Sequence, residues 1–203
     1  MTYLVTNAPE VLRLLVQHMT IVFGGLILSI IVGVPIGVLI SRVRVLELPV
    51  MTAAGLLYIT PSLALFAALI PITGLGKTTA IAAQVVYSLL VITRNTVTGL
   101  RSVPAPEQEA ARGLGLSGLQ RLWMVEIPSA LPIIVGGIRV AAVMGVGIAS
   151  IAAYVGAGGL GSLVFRGIAT VDGSLILAGV LPITALALSV DYSLRFIEVR
   201  LGR

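Results

Sequence analysis

Five long stretches of this chain contain no Asp, Glu, Lys or Arg: residues 19–40, 48–76, 78–93, 140–165 and 173–190. A helix rising about 1.5 Å per residue needs roughly 20 apolar residues to cross a hydrocarbon core of about 30 Å. The first stretch, at 22 residues, is long enough, whereas the third, at 16, needs flanking residues to complete it. Charged side chains make up 10% of the 203 residues and hydrophobic ones 58%, against about 25% charge in an average soluble domain. Such a chain would aggregate in water. The sequence therefore predicts an all-α membrane protein: five transmembrane helices in one domain over residues 1–203, with one large polar interruption at about residues 94–131.

Residues 1–18 carry Glu10, Arg13 and His18, and the first stretch exceeds the apolar core of a cleaved signal, so it is expected to remain as a helix. His18 is expected at the membrane interface just before that helix. With no cysteine and one histidine, disulfides, thiolate metal sites and histidine clusters are excluded, and no metal or cofactor is expected in this chain. Placing the N-terminus outside puts Arg42, Arg44, Arg94, Arg101, Arg112, Arg121, Arg195, Arg200 and Arg203 inside, against Arg13, Lys77 and Arg166 outside. That asymmetry follows the positive-inside rule and places the C-terminus in the cytoplasm. The net charge of +5 is spread over separate loops, an anchoring pattern against membrane lipid that gives no reason to expect a nucleic-acid partner. Arg139 lies about two turns into the fourth span, able to snorkel or to point into the bundle.

Small residues four apart, Gly33 with Gly37, Ala141 with Gly145 and Ala149 with Ala153, mark faces for close helix packing. Pro35, Pro61, Pro71 and Pro182 are expected to interrupt helices. Tyr58, Thr60, Pro61 and Ser62 put polar groups beside one such break, where freed carbonyls must find partners or face water, a candidate cavity wall. Two motifs mislead. Residues 71–78, PITGLGKT, end like a phosphate-binding loop but have Pro71 in place of its first glycine and no βαβ context, and Gly156, Gly158 and Gly161 match GxGxxG after a membrane helix instead of a strand. Both are expected to be turns. The only acid near a span is Asp191, expected to pair with Arg195 one turn on, so an ion-coupling site is not indicated.

Between the third and fourth stretches the composition changes. Pro104 and Pro106 can stop one helix and start another, putting Glu107 and Glu109 in a first turn where the helix dipole favours anions. Gly113 and Gly115 end that helix or allow close approach, and Leu119, Leu122, Trp123 and Ile127 then recur at helical spacing, with Gln120, Arg121 and Glu126 off the apolar face. The expected form is a helical hairpin beneath the membrane.

Glu109, Ala110 and Ala111, then Gly115, then Val125, Ile127 and Pro128 after nine residues, resemble the EAA loop of importer permeases of the ATP-binding cassette superfamily. The family pattern has isoleucine and leucine where Val125 and Ile127 stand. The resemblance implies that the loop is a coupling helix docking on a separate ATPase subunit, which holds ATP and magnesium. It implies two permease subunits, identical or paralogous, and an extracytoplasmic substrate-binding protein. Residues 60–66 (TPSLALF), 94–100 (RNTVTGL) and Gly156 to Gly161 with Phe165, Arg166 and Gly167 look like the osmoprotectant branch, importers of glycine betaine, carnitine, choline or proline betaine. The similarity runs from about residue 20 to residue 200. The alternatives are a permease for another amino acid or methionine, or an ion-coupled carrier. A membrane enzyme lacks support, because no nucleophile–base pair is visible. With aromatic residues at 5% of the chain, no residue is assigned to the substrate.

Overall fold

The computed structural model describes residues 2–202, which are helical almost throughout. Arg203, counted among the inner cations, lies outside the described residues. A short helix α1 (Thr2–Thr6) precedes α2 (Ala8–Arg42), whose 35 residues outrun the bilayer. Residues 14, 18, 21, 22, 25, 29, 33 and 37 of α2 are buried at helical spacing, so one stripe faces inward and the rest is left uncovered by this chain. Opposite that stripe lies α5 (Lys77–Arg101), the central helix, packed between α2 and α8 (Ile127–Ala152). Glycines make this approach possible. A Cβ at Gly37 would sit 2.5 Å from Thr96 Cβ, and one at Gly145 of α8 would sit 2.4 Å from Gln84 Nε2. The small-residue faces, expected to allow close helix packing, are thus largely buried within the chain: Ala141 and Ala149 are fully covered.

The second stretch is a broken span: α3 (Glu47–Ile59) and α4 (Ser62–Thr73) meet at 106°. Pro61 makes the break. Thr60 adopts an extended conformation (φ −63°, ψ 130°), as the residue before a proline prefers, and Pro61 then opens α4. The other prolines do not interrupt: Pro35, Pro71 and Pro182 lie inside continuous helices α2, α4 and α10 (Gly173–Leu201). In lipid, neighbouring groups satisfy what an intrahelical proline frees.

The fourth stretch is also divided differently from its charge-free run. α8 begins thirteen residues before residue 140, at Ile127, and ends at Ala152; a glycine turn and the short helix α9 (Gly161–Thr170) follow. Arg139 does not limit α8 because it points into the bundle. Its Nη1 donates to Asp191 Oδ1 of α10 at 3.3 Å, and its Nε lies 3.0 Å from Glu198 Oε2. Asp191 therefore pairs with Arg139, not with Arg195, since a half-buried guanidinium between two helices needs counter-charge more than an exposed arginine does. His18 also departs from expectation. It is fully buried in α2, with Nε2 3.1 Å from the Val146 carbonyl of α8.

Both misleading motifs are turns. Gly74 and Gly76, at φ 78° and 107°, join α4 to α5, and Gly156, Gly158 and Gly159, near φ 80°, close the end of α8. Ion pairs mark the two ends of the bundle. Arg166 of α9 donates to Glu10 of α2 at one end, and Arg101 of α5 donates to Glu47 of α3 at the other.

Candidate functional site

The polar interruption is shorter than its composition implies, because α5 runs on to Arg101 and α8 starts at Ile127. Pro104, extended at φ −59° and ψ 138°, caps α6 (Ala105–Gly113), with Pro106 in the first turn where no amide donor is missed. Glu107 in that turn accepts from Ser129 Oγ of α8 at 2.8 Å, tying α6 to the foot of the span. Glu109 and Ala110 are exposed; Ala111 is buried within the chain. Of the two alanines, only Ala110 is free to meet a partner, while Ala111 seats the helix.

Gly115 closes α6. Its φ of 75° lies in the left-handed region, and around it the Leu116 amide donates to the Ala111 carbonyl and the Gly115 amide to the Arg112 carbonyl. Those two bonds are the Schellman arrangement, which calls for glycine at this position. Nothing lies within 4 Å of where a Cβ would stand, so backbone conformation, not packing within this chain, explains the glycine.

Ser117 then starts α7 (Gly118–Arg121) with a reciprocal capping box to Gln120. From there the chain does not turn back as a separate amphipathic helix. It passes through a π-helical turn (Leu122–Glu126), containing half-buried Val125, straight into α8, where Ile127 and exposed Pro128 form the first turn. Of the expected apolar face, Leu122 is buried while Leu119 and Trp123 are exposed.

Glu126, expected on the polar surface, is the buried centre of this region. Its Oε2 lies 2.5 Å from Arg42 Nη2 at the end of α2, and its Oε1 accepts from Arg121 Nε at 2.9 Å. Two arginines and one carboxylate thus join the first span, α7 and the foot of α8. The only local signal was an acid just ahead of Ile127 and Pro128, and its partner Arg42 is 84 residues away.

At membrane depth, the break at Pro61 borders a cavity of about 440 Å³ lined by Tyr58, Thr60, Ser62, Tyr87, Met144 and Gly147, among others. Three of the four residues expected to wall a cavity do so. Tyr87 of α5 was not foreseen; its hydroxyl donates to the Thr60 carbonyl that the break leaves free. At the end of the bundle that holds Glu10, the Tyr3 hydroxyl donates to Glu10 Oε2 at 2.6 Å, and that carboxylate raises the Tyr3 phenol above its ordinary value. Asp172 caps α10, and hydrogen bonds from the Ser174 hydroxyl and amide hold its carboxyl below the usual range.

Residues 25–203 match the family described as the inner membrane component of binding-protein-dependent transport systems. The osmoprotectant import permease protein OsmW of Salmonella typhimurium is 47% identical over 97% of this chain and 94% of its own length. The glycine betaine/carnitine/choline permease OpuCB of Bacillus subtilis is 39% identical over 98% and 91%. Among solved structures, a permease chain of the methionine ABC transporter MetNI, inward facing, superposes with a TM-score of 0.86 at 22% identity, over 98% of this chain and 99% of its own. With a bundle of membrane-length helices and a match over most of its length, this chain belongs to the inner-membrane components of binding-protein-dependent transport systems and is the permease subunit of an ABC importer.

Proposed function

We propose that this permease imports osmoprotectants of the glycine betaine, choline and carnitine class, driven by a separate ATPase subunit that docks on α6. The observation that carries the coupling role is the construction of α6. It is a short helix with Glu109 and Ala110 exposed, closed by Gly115 and bonded through Glu107 to the foot of α8. A partner that moves α6 moves spans α5 and α8 with it. Glu109, Ala110, Ala111 and Gly115 form or shape the docking helix, and Val125, Ile127 and Pro128 carry its displacement into α8. ATP and magnesium belong to the ATPase, and this chain performs no chemistry.

The cargo class rests on the relatives, which are named for osmoprotectant, glycine betaine, carnitine and choline transport. A soluble binding protein outside delivers the ligand, and a second permease subunit, identical or paralogous, faces this one. The N-terminus lies outside and the C-terminus in the cytoplasm. That orientation puts α6, Arg42, Arg101 and Arg121 on the ATPase side. Reconstitution of the permease with its ATPase and binding protein in liposomes tests the proposal. ATP-dependent uptake of radiolabelled glycine betaine that vanishes without the binding protein is expected. Uptake driven by an ion gradient with no ATPase present would overturn it.

A further inference from the structure

The cavity beside the Pro61 break has the makings of a cation site. Tyr58 and Tyr87 stand with ring centroids 6.4 Å apart and planes at 75°, forming two walls of a corner. Tyr87 is almost entirely buried and pinned by its bond to the Thr60 carbonyl, whereas the Tyr58 ring is partly open to the cavity. The rest of the lining is Met144, whose sulfur lies 3.9 Å from the Tyr58 hydroxyl, Gly147, which leaves room, the apolar Ile148 and Ile151, and the small polar Thr60 and Ser62. α3 ends at this point, and among the described residues no backbone amide reaches the carbonyls of Tyr58 and Ile59 across the break. Free carbonyls at a helix C-terminus carry partial negative charge, which favours a cation. No acid lines the cavity. It therefore offers ring faces and carbonyl dipoles but no ion pair, a setting for a bulky, weakly hydrated cation, which sheds its water more readily than a primary ammonium does.

Its position fits passage. Tyr87 lies ten residues from the start of α5 and fourteen from its end, about 15 Å and 21 Å along the helix, so the cavity is near the middle of the span. It is open on one side.

We propose that this cavity is a transit site for the quaternary ammonium group of the cargo, held against the Tyr58 ring with Tyr87 and the end of α3 behind it. The inference rests on the osmoprotectant function proposed above and adds to it a place inside the permease. Discrimination then does not end with the binding protein, because cargo without a quaternary ammonium crosses this point unaided.

The test uses the complete importer in liposomes, with Tyr58 replaced by Phe, by Leu, and by phenylalanines of increasing ring fluorination. Fluorine withdraws charge from the ring face while keeping its shape. Uptake of radiolabelled glycine betaine should be near wild type for Tyr58→Phe and fall stepwise with fluorination. It should be down about tenfold for Tyr58→Leu, the loss of one desolvated cation–π contact. Binding-protein-stimulated ATP hydrolysis should stay near wild type throughout, showing that the complex is folded and docked. Equal uptake across the fluorinated series, alongside normal wild-type transport, would overturn the transit site and leave the proposed function standing. A wild-type importer that moves no betaine would remove both.

Discussion

Glu126→Gln keeps the shape of the side chain that joins α2, α7 and α8 but removes its charge. In the native chain the carboxylate is almost wholly buried and lies within 3 Å of both Arg42 and Arg121. Removing one partner of a buried pair costs about 3–5 kcal/mol. Here the Arg42 side chain is 38% exposed and that of Arg121 19%, so water relieves part of the loss and about 2 kcal/mol is the reasonable figure. For a chain of this size that is a fall of about 4–8 °C in melting temperature. The π-helical turn, anchored by this side chain at its last residue, should loosen with it. In liposomes the variant is therefore expected to hydrolyse ATP when the binding protein is added yet move less betaine per ATP. Purified importer followed by thermal shift, with uptake and hydrolysis measured on the same vesicles, supplies both numbers. In the cycle with Arg42→Gln, the two losses should be non-additive, because either change breaks the same contact. A Glu126→Gln importer that melts within a degree of wild type and transports normally would refute the view that this network holds the loop to the spans.

Three other outcomes are expected. Gly115→Val forces a β-branched residue into a left-handed conformation, at about 1–2 kcal/mol; the protein should insert normally but lose ATP-driven uptake, as membrane fractionation and transport assays would show. Gly145→Ala pushes a methyl onto Gln84 and should cost about 1–3 kcal/mol by overpacking, with melting temperature recovering when Gln84→Ser is added. The Asp172 carboxyl has its value lowered in the folded state, so its capping contribution is complete above about pH 4 and is lost as pH falls through the lowered value. Limited proteolysis near residues 170–174 should accelerate in acid, and Asp172→Asn should remove that acceleration.

What could be read from the sequence was whatever neighbouring residues decide. The spans followed from charge-free runs, and the turns at Gly74 and Gly156 from local backbone demands. α6 was bounded by Pro104 before it and Gly115 after it for the same reason. What could not be read depended on distant partners. Pro35, Pro71, Pro132 and Pro182 lie inside unbroken helices, and Pro61 breaks a span; there Tyr87, 27 residues away, takes up the Thr60 carbonyl. Asp191 had a plausible partner one turn along its own helix, but Arg139 on another helix needed it more. His18 looked interfacial because it preceded a charge-free run, yet α2 starts ten residues before it and carries it into the bundle. Glu126 followed the same logic in reverse, a charge that looked exposed until Arg42 closed on it. Low aromatic content hid the tyrosine corner, since composition counts rings and says nothing of where they meet.

The unbroken path from Gly118 to Val155, 38 residues through the π-helical turn, makes one rigid lever of roughly 55 Å. One end is bonded to α6 through Ser129 and Glu107, and the other ends at the glycine turn against Gln17 and His18. A tilt of about 5° about the end at α6 displaces the other by about 5 Å, close to the pitch of one helical turn. On the coupling role proposed above, a small stroke at α6 is geared up to a movement of about one helical turn at the other end of the span, with no segment refolding on the way.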